Sequence, residues 1–341
     1  MQFGWLALSL SPSPDEDAQR IDNLIDQACS AERLGFSDVW LTEHYFTGES
    51  VYSDSLMFAA ALAMKTQRIR IGFAVVQMPF HHPVRLAVQL ALLDNLSKGR
   101  IDVGVGKGTV YNEYEFVGHG LRSTDSRERM EEAVDIIERA WREAPLSYDG
   151  RFHKVHIPAI RPRPVQQPGP PLWRSVISPG TRRPIISPPL ERVHGWLYES
   201  LEDLVPLAKQ AGKRLLFENT PYCFTPTIDE LASVIRTVDD DALKIVYDVA
   251  NAAYIGEDPV AALNSYHESI RLIHISDTGT ETWGHDPIGT GVIDWEDLGR
   301  AVKSTLGVDN VVLEIIREEN TLDEFAQAMH DLRDAGWDLG T

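Results

Sequence analysis

The sequence has few cysteines and no long apolar run, and these absences exclude several classes of protein. The only cysteines, Cys29 and Cys223, are too few for a disulfide framework and lack metal or redox spacing. We therefore expect a reducing, cytoplasmic location. No stretch approaches the roughly 20 apolar residues of a membrane span. The opening MQFGWLALSLSPSP lacks a basic segment, so we expect no signal peptide.

Positive charge is also scarce. The chain has 32 Lys and Arg against 51 Asp and Glu, which gives a formal net charge of -19. Nucleic acid and anionic membranes are poor partners for so acidic a protein. We expect a small-molecule substrate instead, and a homodimer is compatible with the sequence. The 341 residues suffice for one large α/β barrel or two ordinary domains.

Short apolar runs alternate with amphipathic helical stretches along the whole chain. Continuous Val, Ile and Leu runs are typical of parallel strands that are buried on both faces. Polar residues stand at the carboxyl ends of many runs, which favours a (β/α)₈ TIM-type barrel over a doubly wound sheet. These residues are Glu43, His44, Lys107, Ser178, Glu218, Asp248, His274, Asp277 and Glu314.

Nine runs qualify as strands, one more than an eight-stranded barrel needs. We expect one surplus strand near residues 172–189, in LWRSVIS or PIISPP. The Pro-rich segment 157–171 predicts an ordered loop over one end of the barrel, without regular structure. The nine runs are FGWLALSL, DVWLTEHYF, IRIGFAVVQM, IDVGVGKG, LWRSVIS, RLLFENT, LKIVYDVAN, IRLIHISD and VVLEII.

Several features of the first half allow two interpretations. The glycines at 104, 106 and 108 follow a strand, where they indicate either a close approach to a ligand or close strand packing. Ser178 and Thr181 in the SPGT turn either bind a phosphate or cap a helix. His44 is either a structural or a site histidine. His81 and His82 precede Pro83, so we expect them to cap the helix at 83–97.

The first half of the chain resembles the bacterial-luciferase-like family of flavin-dependent monooxygenases. The resemblance spans about residues 1–182 and rests on GFSDVWLTEHYF, RIRIGFAVVQMPFHHPVRLAVQLALLDNLSKGRIDVGVGKG, SRERMEEAVDIIERAW and PPLWRSVISPGT. It implies a (β/α)₈ barrel that uses reduced FMN, or the deazaflavin F420, to activate oxygen or transfer hydride.

This resemblance also implies roles for individual residues. His44 is then the site histidine, and Ala74–Val75 is a non-prolyl cis peptide bond under the flavin ring. Lys107 stands where an Arg often meets the flavin phosphate. Ser178 and Thr181 match the family's phosphate-binding turn, with Gly180 in place of a Glu.

Four residues in the second half have the chemistry of a metal site. Glu218, Asp248, His274 and Glu314 each end one of four successive apolar runs, about one βα unit apart. Neighbouring parallel strands would bring them to one mouth, and the alternative is four separate solvated side chains. Three carboxylates and one imidazole suit Mn²⁺, Mg²⁺ or Co²⁺, and Zn²⁺ is also compatible.

The second half, about residues 183–341, resembles the xylose-isomerase-like superfamily of sugar isomerases, epimerases and endonuclease IV. The motifs are ENTP, YDVAN, HISD, HDPIGTGVIDW and LEI. The resemblance implies metal ligation by the same four residues, with Glu218 and Glu314 as an acid/base pair and His285 as a further ligand or substrate-binding residue. Asn251 replaces a common histidine, which argues against a trinuclear zinc site.

Together the two resemblances predict a chimera-like chain. One barrel over residues 1–341 would join a luciferase-like half (1–182) to a xylose-isomerase-like half (183–341), with the seam near 178–195. Our first hypothesis is a flavin-dependent oxidoreductase, whose activity the replaced half could impair. The second is a divalent-metal-dependent sugar isomerase or epimerase. The third is a folded scaffold without efficient activity.

Overall fold

The chain has an α/β fold that divides into two units. The N-terminal unit comprises Leu6–Ser175, and the C-terminal unit comprises Met1–Trp5 together with Val176–Thr341. That the two form one barrel over residues 1–341, with halves of different ancestry, stays a prediction. The computed structural model describes residues 2–109, 112–174, 190–221, 223, 225–304, 308, 310–316 and 322–337.

All nine predicted runs form strands, and a two-stranded hairpin that the sequence did not predict adds two more. PIISPP lies outside the described residues. The strands are β1 (Gln2–Ala7), β2 (Asp38–Leu41), β3 (Arg70–Gln77), β4 (Ile101–Gly106), β5 (Leu146–Asp149), β6 (Lys154–Ile157), β7 (Leu172–Arg174), β8 (Leu215–Glu218), β9 (Leu243–Asp248), β10 (Ile270–Ile275) and β11 (Asn310–Leu313).

Helices follow most of the parallel strands, as expected for repeated βα units. No helix in the described part of the chain is both long and apolar enough to cross a membrane. The helices are α1 (Asp17–Leu34), α2 (Ser55–Lys65), α3 (Pro83–Ser97), α4 (Glu113–Gly118), α5 (Ser126–Arg142), α6 (Leu190–Gln210), α7 (Ile228–Val238), α8 (Val249–Tyr254), α9 (Pro259–Tyr266), α10 (Trp295–Ser304) and α11 (Leu322–Asp334).

The N-terminal unit contains four parallel strands in the order β7-β4-β3-β2. β7 pairs with β4 through Val103↔Leu172 and the two residues that follow in each strand. The start of LWRSVIS is therefore a sheet strand, at the edge of the strand order. Hydrogen bonding to β4 holds it in place. That one strand near residues 172–189 is surplus to a barrel stays a prediction.

The Pro-rich loop after β6 has no helix or strand over residues 158–171, as the prolines predict. Hydrogen bonds from two residues of the loop nevertheless attach it to α3 and α5. Arg163 donates to the carbonyl oxygens of Ala140 and Trp141 at 2.9 and 2.8 Å, near the carboxyl end of α5. The backbone N–H and the side chain of Gln166 donate to the buried Asp94 carboxylate at 2.8 and 2.7 Å.

The C-terminal unit contains five parallel strands in the order β1-β11-β10-β9-β8. The register places His274 on β10 opposite Asp248, the last residue of β9. On its other side β10 pairs with β11, with Ile275 opposite Leu313. Because the strands are parallel, their carboxyl ends lie at the same edge of this sheet.

Glycines allow β3 and β4 to pack closely. A Cβ on Gly104 would lie 2.2 Å from the carbonyl oxygen of Phe73, and one on Gly106 would lie 2.3 Å from Val75 Cγ2. The register between the two strands shifts between Phe73 and Val76, so the β3 backbone bulges toward the glycines. Of the two interpretations of this glycine series, close strand packing explains Gly104 and Gly106.

We predict that Gly104→Ala lowers the free energy of unfolding by roughly 1–3 kcal/mol, because the added methyl group overlaps a backbone oxygen that cannot move aside cheaply. Urea denaturation followed by circular dichroism would measure the change. Gly195→Ala in α6 is the matched control, since a Cβ there meets nothing within 4 Å. The control should gain up to about 1 kcal/mol from helix propensity. Equal midpoints for both variants would contradict the packing explanation.

Candidate functional site

In the N-terminal unit, the buried Glu43 carboxylate contacts Tyr45 after β2, Gln77 at the end of β3 and His81 after β3. Its Oε1 accepts hydrogen bonds from the Tyr45 hydroxyl and lies 2.7 Å from His81 Nε2. Its Oε2 accepts from the backbone N–H of Gln77 at 2.5 Å. Because a buried carboxylate needs compensating donors or charge, these contacts fix the segment that carries the next residue, His44.

His44 is partly buried between carboxylates and an amide. Its Nδ1 lies 3.4 Å from Glu115 Oε1 and 3.2 Å from Asn112 Nδ2, and its Nε2 lies 3.6 Å from Glu49 Oε1. Burial lowers the pKa of His44, but the hydrogen bond to Glu115 and the charges of Glu49 and Glu115 outweigh it, so the pKa is raised. The raised pKa extends the pH range over which His44 carries a proton.

Glu115, which the sequence did not single out, is a fully buried part of this network. It lies in α4, accepts from the backbone N–H of Tyr45 at 2.7 Å and from Gln77 Nε2 at 3.1 Å. Burial by itself raises the pKa of Glu115. The hydrogen bonds with His44, Tyr45 and Gln77, together with the charge of His44, lower it by more, so the pKa is lowered overall. No sequence motif marked this residue, because its role depends on α4 packing against the β2 end.

His81 does not cap α3, contrary to the expectation from its place before Pro83. The N-cap residue is His82, and its side chain makes no capping hydrogen bond. His81 instead pairs with Glu43. A buried carboxylate within reach provides a stronger partner for an imidazole than a helix end does.

The other residues predicted for the flavin site differ in their surroundings. The Ala74–Val75 peptide bond is cis. Ala74 is the one exposed residue of β3, while the side chain of Val75 packs toward Gly106. Lys107 is exposed directly after β4. Ser178 and Thr181 lie outside the described residues.

In the C-terminal unit, the structure brings Glu218, Asp248, His274 and Glu314 together. Glu218 and Asp248 end β8 and β9, His274 is the penultimate residue of β10, and Glu314 directly follows β11. One ligand atom from each lies within 4.8 Å of all the others. The four side chains, which we call the carboxylate–histidine cluster, share one mouth at the carboxyl ends of their strands.

Three atoms of this cluster are buried without a hydrogen-bond partner among the described residues. They are Asp248 Oδ2, His274 Nδ1 and Glu314 Oε2. His274 Nδ1 lies 2.9 Å from Glu218 Oε1 and 3.0 Å from Glu314 Oε2, but these approaches lack the direction of a hydrogen bond. Because buried polar atoms are nearly always satisfied in folded proteins, the three atoms call for a partner such as an ordered water or an ion.

Charge within the cluster shifts the pKa of each member. Burial raises the pKa of Asp248 well above its usual range, and the charges of Glu314 and Glu218 raise it further. Burial lowers the pKa of His274, but the two glutamates outweigh it and hold this pKa well above 6.5. Burial raises the pKa of Glu314, but His274 more than offsets this, so the net pKa is lowered. A proton on His274 thus neutralises part of the negative charge of the carboxylates, as a bound divalent cation would.

Asp248 is held in place by two asparagines. Asn219 Nδ2 donates to the Asp248 carbonyl oxygen at 2.9 Å, and its Oδ1 accepts from the Asp248 N–H at 2.8 Å. Asp248 Oδ1 accepts from the N–H of Asn251 at 2.9 Å, which leaves Oδ2 directed to the cluster. His285 also reaches the cluster, with Nδ1 3.8 Å from Asp248 Oδ2. Asn219, within the ENTP motif, is a site residue that sequence reasoning missed.

Sequence similarity to known families is concentrated in the first half of the chain. The profile of the Luciferase-like monooxygenase family matches residues 1–186. The oxygenase component of flavin-dependent trigonelline monooxygenase from Acinetobacter baylyi is 31% identical over 163 residues, which cover 48% of this chain and 45% of that protein. The chain spans about half the length of the first curated relatives that it matches.

Two further relatives extend into the second half. The alkanal monooxygenase alpha chain of the Kryptophanaron alfredi symbiont is 28% identical over 267 residues, covering 76% of this chain and 74% of the relative. The FMN complex of the oxygenating constituent of 3,6-diketocamphane monooxygenase from Pseudomonas putida has a TM-score of 0.59 at 13% identity, over 97% of this chain and 96% of that one. The alkanal monooxygenase chain supports the first resemblance, and the solved structure shows the fold alone. The second resemblance stays a prediction.

The Glu43–His81 pair predicts a pH-dependent stability. Burial lowers the pKa of His81, but the charge of Glu43 and the hydrogen bond to it raise this pKa overall. The stabilisation is then complete below the unfolded value of about 6.5 and is lost as the pH rises through the raised folded pKa. We expect His81→Gln to cost of the order of 1 kcal/mol at pH 6 and less at pH 9.

Urea midpoints of both proteins between pH 5.5 and 9.5 would test this expectation. His153→Gln in the same unit is a control with the opposite sign, because burial lowers the pKa of His153. The wild-type protein should lose stability relative to that variant as the pH falls. A cost of His81→Gln that stays constant with pH would contradict the prediction.

Proposed function

Because the chain belongs to the luciferase-like monooxygenase family, we propose that it is a flavin-dependent oxidoreductase acting on a small molecule, with FMN or F420 as cofactor. The single observation that carries this proposal is the position of His44. This imidazole lies after β2 with its pKa raised by Glu115 and Glu49, beside the strand that carries the exposed Ala74.

The described residues fit a flavin. β2 and β3 pair with Leu41 opposite Phe73, so the residues that follow each are neighbours at the same strand ends. Ala74 there presents a small apolar surface that a planar ring can cover, and exposed Lys107 after β4 supplies a cation for a phosphate. Ser178 and Thr181 complete the proposed phosphate contacts on the strength of the resemblance alone.

A reduced flavin, when bound, supplies the electrons for oxygen activation or for hydride transfer. The chain's own contribution is then a proton. His44, whose pKa its neighbouring carboxylates raise, would donate it from a partly buried position, where general acid catalysis is typically worth 10²–10⁴-fold in rate. Glu43 and Gln77 keep the segment that carries His44 in place.

Titration of FMN and of F420, followed by their fluorescence, tests the cofactor. We expect saturable quenching at or below tens of micromolar, an order-of-magnitude limit for a specific site. Ala74→Phe should weaken binding at least tenfold, because the new ring occupies the surface proposed for the flavin. Ala61→Phe on the exposed face of α2 is the matched control and should leave the affinity unchanged. Equal affinities for wild type and Ala74→Phe would count against the site.

We propose a second function, divalent-metal-dependent isomerisation or epimerisation of a sugar, because one observation favours it specifically. The three partnerless buried atoms of the carboxylate–histidine cluster face one another within metal-binding reach. Its three carboxylates and one imidazole match the preferences of Mn²⁺, Mg²⁺ and Co²⁺, and also accommodate Zn²⁺.

In this second function the residues would divide two tasks. Glu218, Asp248, His274 and Glu314 would hold the cation, which when bound polarises a substrate carbonyl. Glu218 and Glu314 would also move a proton beside that carbonyl, as the second resemblance implies. Their approach to the same His274 nitrogen, at 2.9 and 3.0 Å, supports a shared site. Glu218 is the most exposed of the four and is therefore the more accessible base.

A thermal shift distinguishes this function from the first. Mn²⁺ or Co²⁺ at about 100 times its Kd should stabilise the protein by roughly 2.7 kcal/mol, a shift of several degrees in Tm. Glu218→Gln and His274→Ala should abolish the shift, because each removes a ligand. Asp241→Asn changes an exposed carboxylate in the same unit and should leave it intact.

The absence of any metal-dependent shift in the wild-type protein would exclude the second function. A protein that neither quenches FMN or F420 nor responds to metal would match the hypothesis of a scaffold without efficient activity.

A further inference from the structure

Asp277 is a fully buried carboxylate that no cation neutralises among the described residues. Four donors satisfy it instead. Oδ1 accepts from the backbone N–H groups of Thr278 and Ile293 at 3.0 and 3.3 Å. Oδ2 accepts from the N–H of Gly289 and from Trp295 Nε1, both at 3.0 Å. A carboxylate with four donors strongly fixes the segments that supply them.

Three of these donors come from the two ends and the middle of one long loop, and the fourth, Trp295, begins the helix that follows it. The loop runs from residue 278, just after β10, to residue 294, just before α10. Asp277 and Asp286 also exchange backbone hydrogen bonds at 2.8 Å in each direction. Asp277 therefore folds the loop back on the end of β10, in a shape that its own sequence, rich in Gly and Thr, would not hold.

Gly291 shows how tightly the loop packs on this carboxylate. A Cβ on Gly291 would lie 2.2 Å from the Thr278 carbonyl oxygen and 2.3 Å from Asp277 Oδ1. At Gly279 in the same loop, a Cβ would meet only the Thr282 carbonyl oxygen, at 3.7 Å. The loop thus tolerates an added methyl group at Gly279 and excludes one at Gly291.

The fold of the loop delivers His285 to the carboxylate–histidine cluster. The residue after it, Asp286, is the one paired with Asp277. The His285 carbonyl oxygen accepts from the N–H of Ile316, two residues beyond Glu314. Its buried side chain lies with Nδ1 2.9 Å from Ser276 Oγ and 3.8 Å from the partnerless Asp248 Oδ2.

We propose that Asp277 is a positioning residue that sets the place of His285 beside the metal proposed for the cluster, and through it the affinity and coordination of that metal. This inference rests on the proposed metal site. Asp277 is itself too fully engaged with the loop to serve as a ligand. Its effect passes through the loop to His285, whose Nδ1 lies 3.8 Å from Asp248 Oδ2, the oxygen directed to the cluster.

Asp277→Asn is the sharpest change, because it keeps the shape of the side chain. An amide accepts through its oxygen only, and its NH₂ group would face two donors. Two of the four loop contacts are then lost. Gly291→Ala reaches the same loop from the other side, by pushing it away from Asp277.

The test is a Mn²⁺ titration, followed by the electron paramagnetic resonance of free Mn²⁺, together with the visible absorption spectrum of the Co²⁺-loaded protein. Asp277→Asn, Gly291→Ala and His285→Ala should each weaken Mn²⁺ binding by roughly 10–100-fold, the usual effect of removing an outer-shell partner, and alter the Co²⁺ bands. The double variant of Asp277→Asn and His285→Ala should lose little more than the weaker-binding single variant.

Two controls separate positioning from general destabilisation. Gly279→Ala, in the same loop, should keep wild-type affinity and spectrum. Asp258→Ala removes the side-chain cap of α9 in the same unit and should lower stability by about 0.5–2 kcal/mol without changing the Co²⁺ spectrum.

The outcomes distinguish this inference from the function on which it rests. A wild-type protein that binds neither Mn²⁺ nor Co²⁺ contradicts the metal site itself, and the inference with it. A wild type that binds them, with folded Asp277→Asn and Gly291→Ala variants of unchanged affinity and spectrum, overturns the positioning role alone. Additive losses in the double variant would show that Asp277 does not act through His285.

Discussion

Parallel strand pairing is the constraint on which both clusters of this protein depend. In each unit the strands run the same way, so their carboxyl ends meet at one edge and the residues that follow them become neighbours. A shift by one residue would turn His274 away from Asp248, since successive side chains point to opposite faces. The chemistry of the second cluster is therefore a consequence of register. In the N-terminal unit, Gly104 allows β3 and β4 to approach closely.

The two clusters compensate their buried charge in different ways. Around Glu43 and Glu115 the compensation is internal, because backbone N–H groups, a tyrosine, a glutamine and two histidines occupy the carboxylate oxygens. Around Glu218, Asp248 and Glu314 it is incomplete, and three polar atoms face one another without partners. The first arrangement supports a stable proton donor. The second favours a cation from outside, since an unsatisfied buried polar group costs about 1–3 kcal/mol or more.

Family membership and local geometry point to different chemistry. Similarity to luciferase-like monooxygenases covers residues 1–186, where His44 and Ala74 lie. The most complete set of metal-ligand side chains lies beyond that segment. A relative such as the alkanal monooxygenase alpha chain nevertheless extends past residue 186, and a flavin enzyme of this fold matches nearly the whole chain. The fold can thus be assigned to one family, while the activity depends on which cluster binds its ligand.

The strand runs and the residues that end them follow from the local sequence. Continuous apolar runs carry that information locally, so all nine strands and the grouping of Glu218, Asp248, His274 and Glu314 could be predicted from spacing. The partners of these side chains depend on the folded chain. His81 pairs with Glu43 instead of capping α3, Glu115 reaches His44 from α4, and Asp277 organises a loop around His285. These contacts join residues far apart in the chain, and a periodic pattern records which face a side chain occupies but not which distant side chain will meet it there.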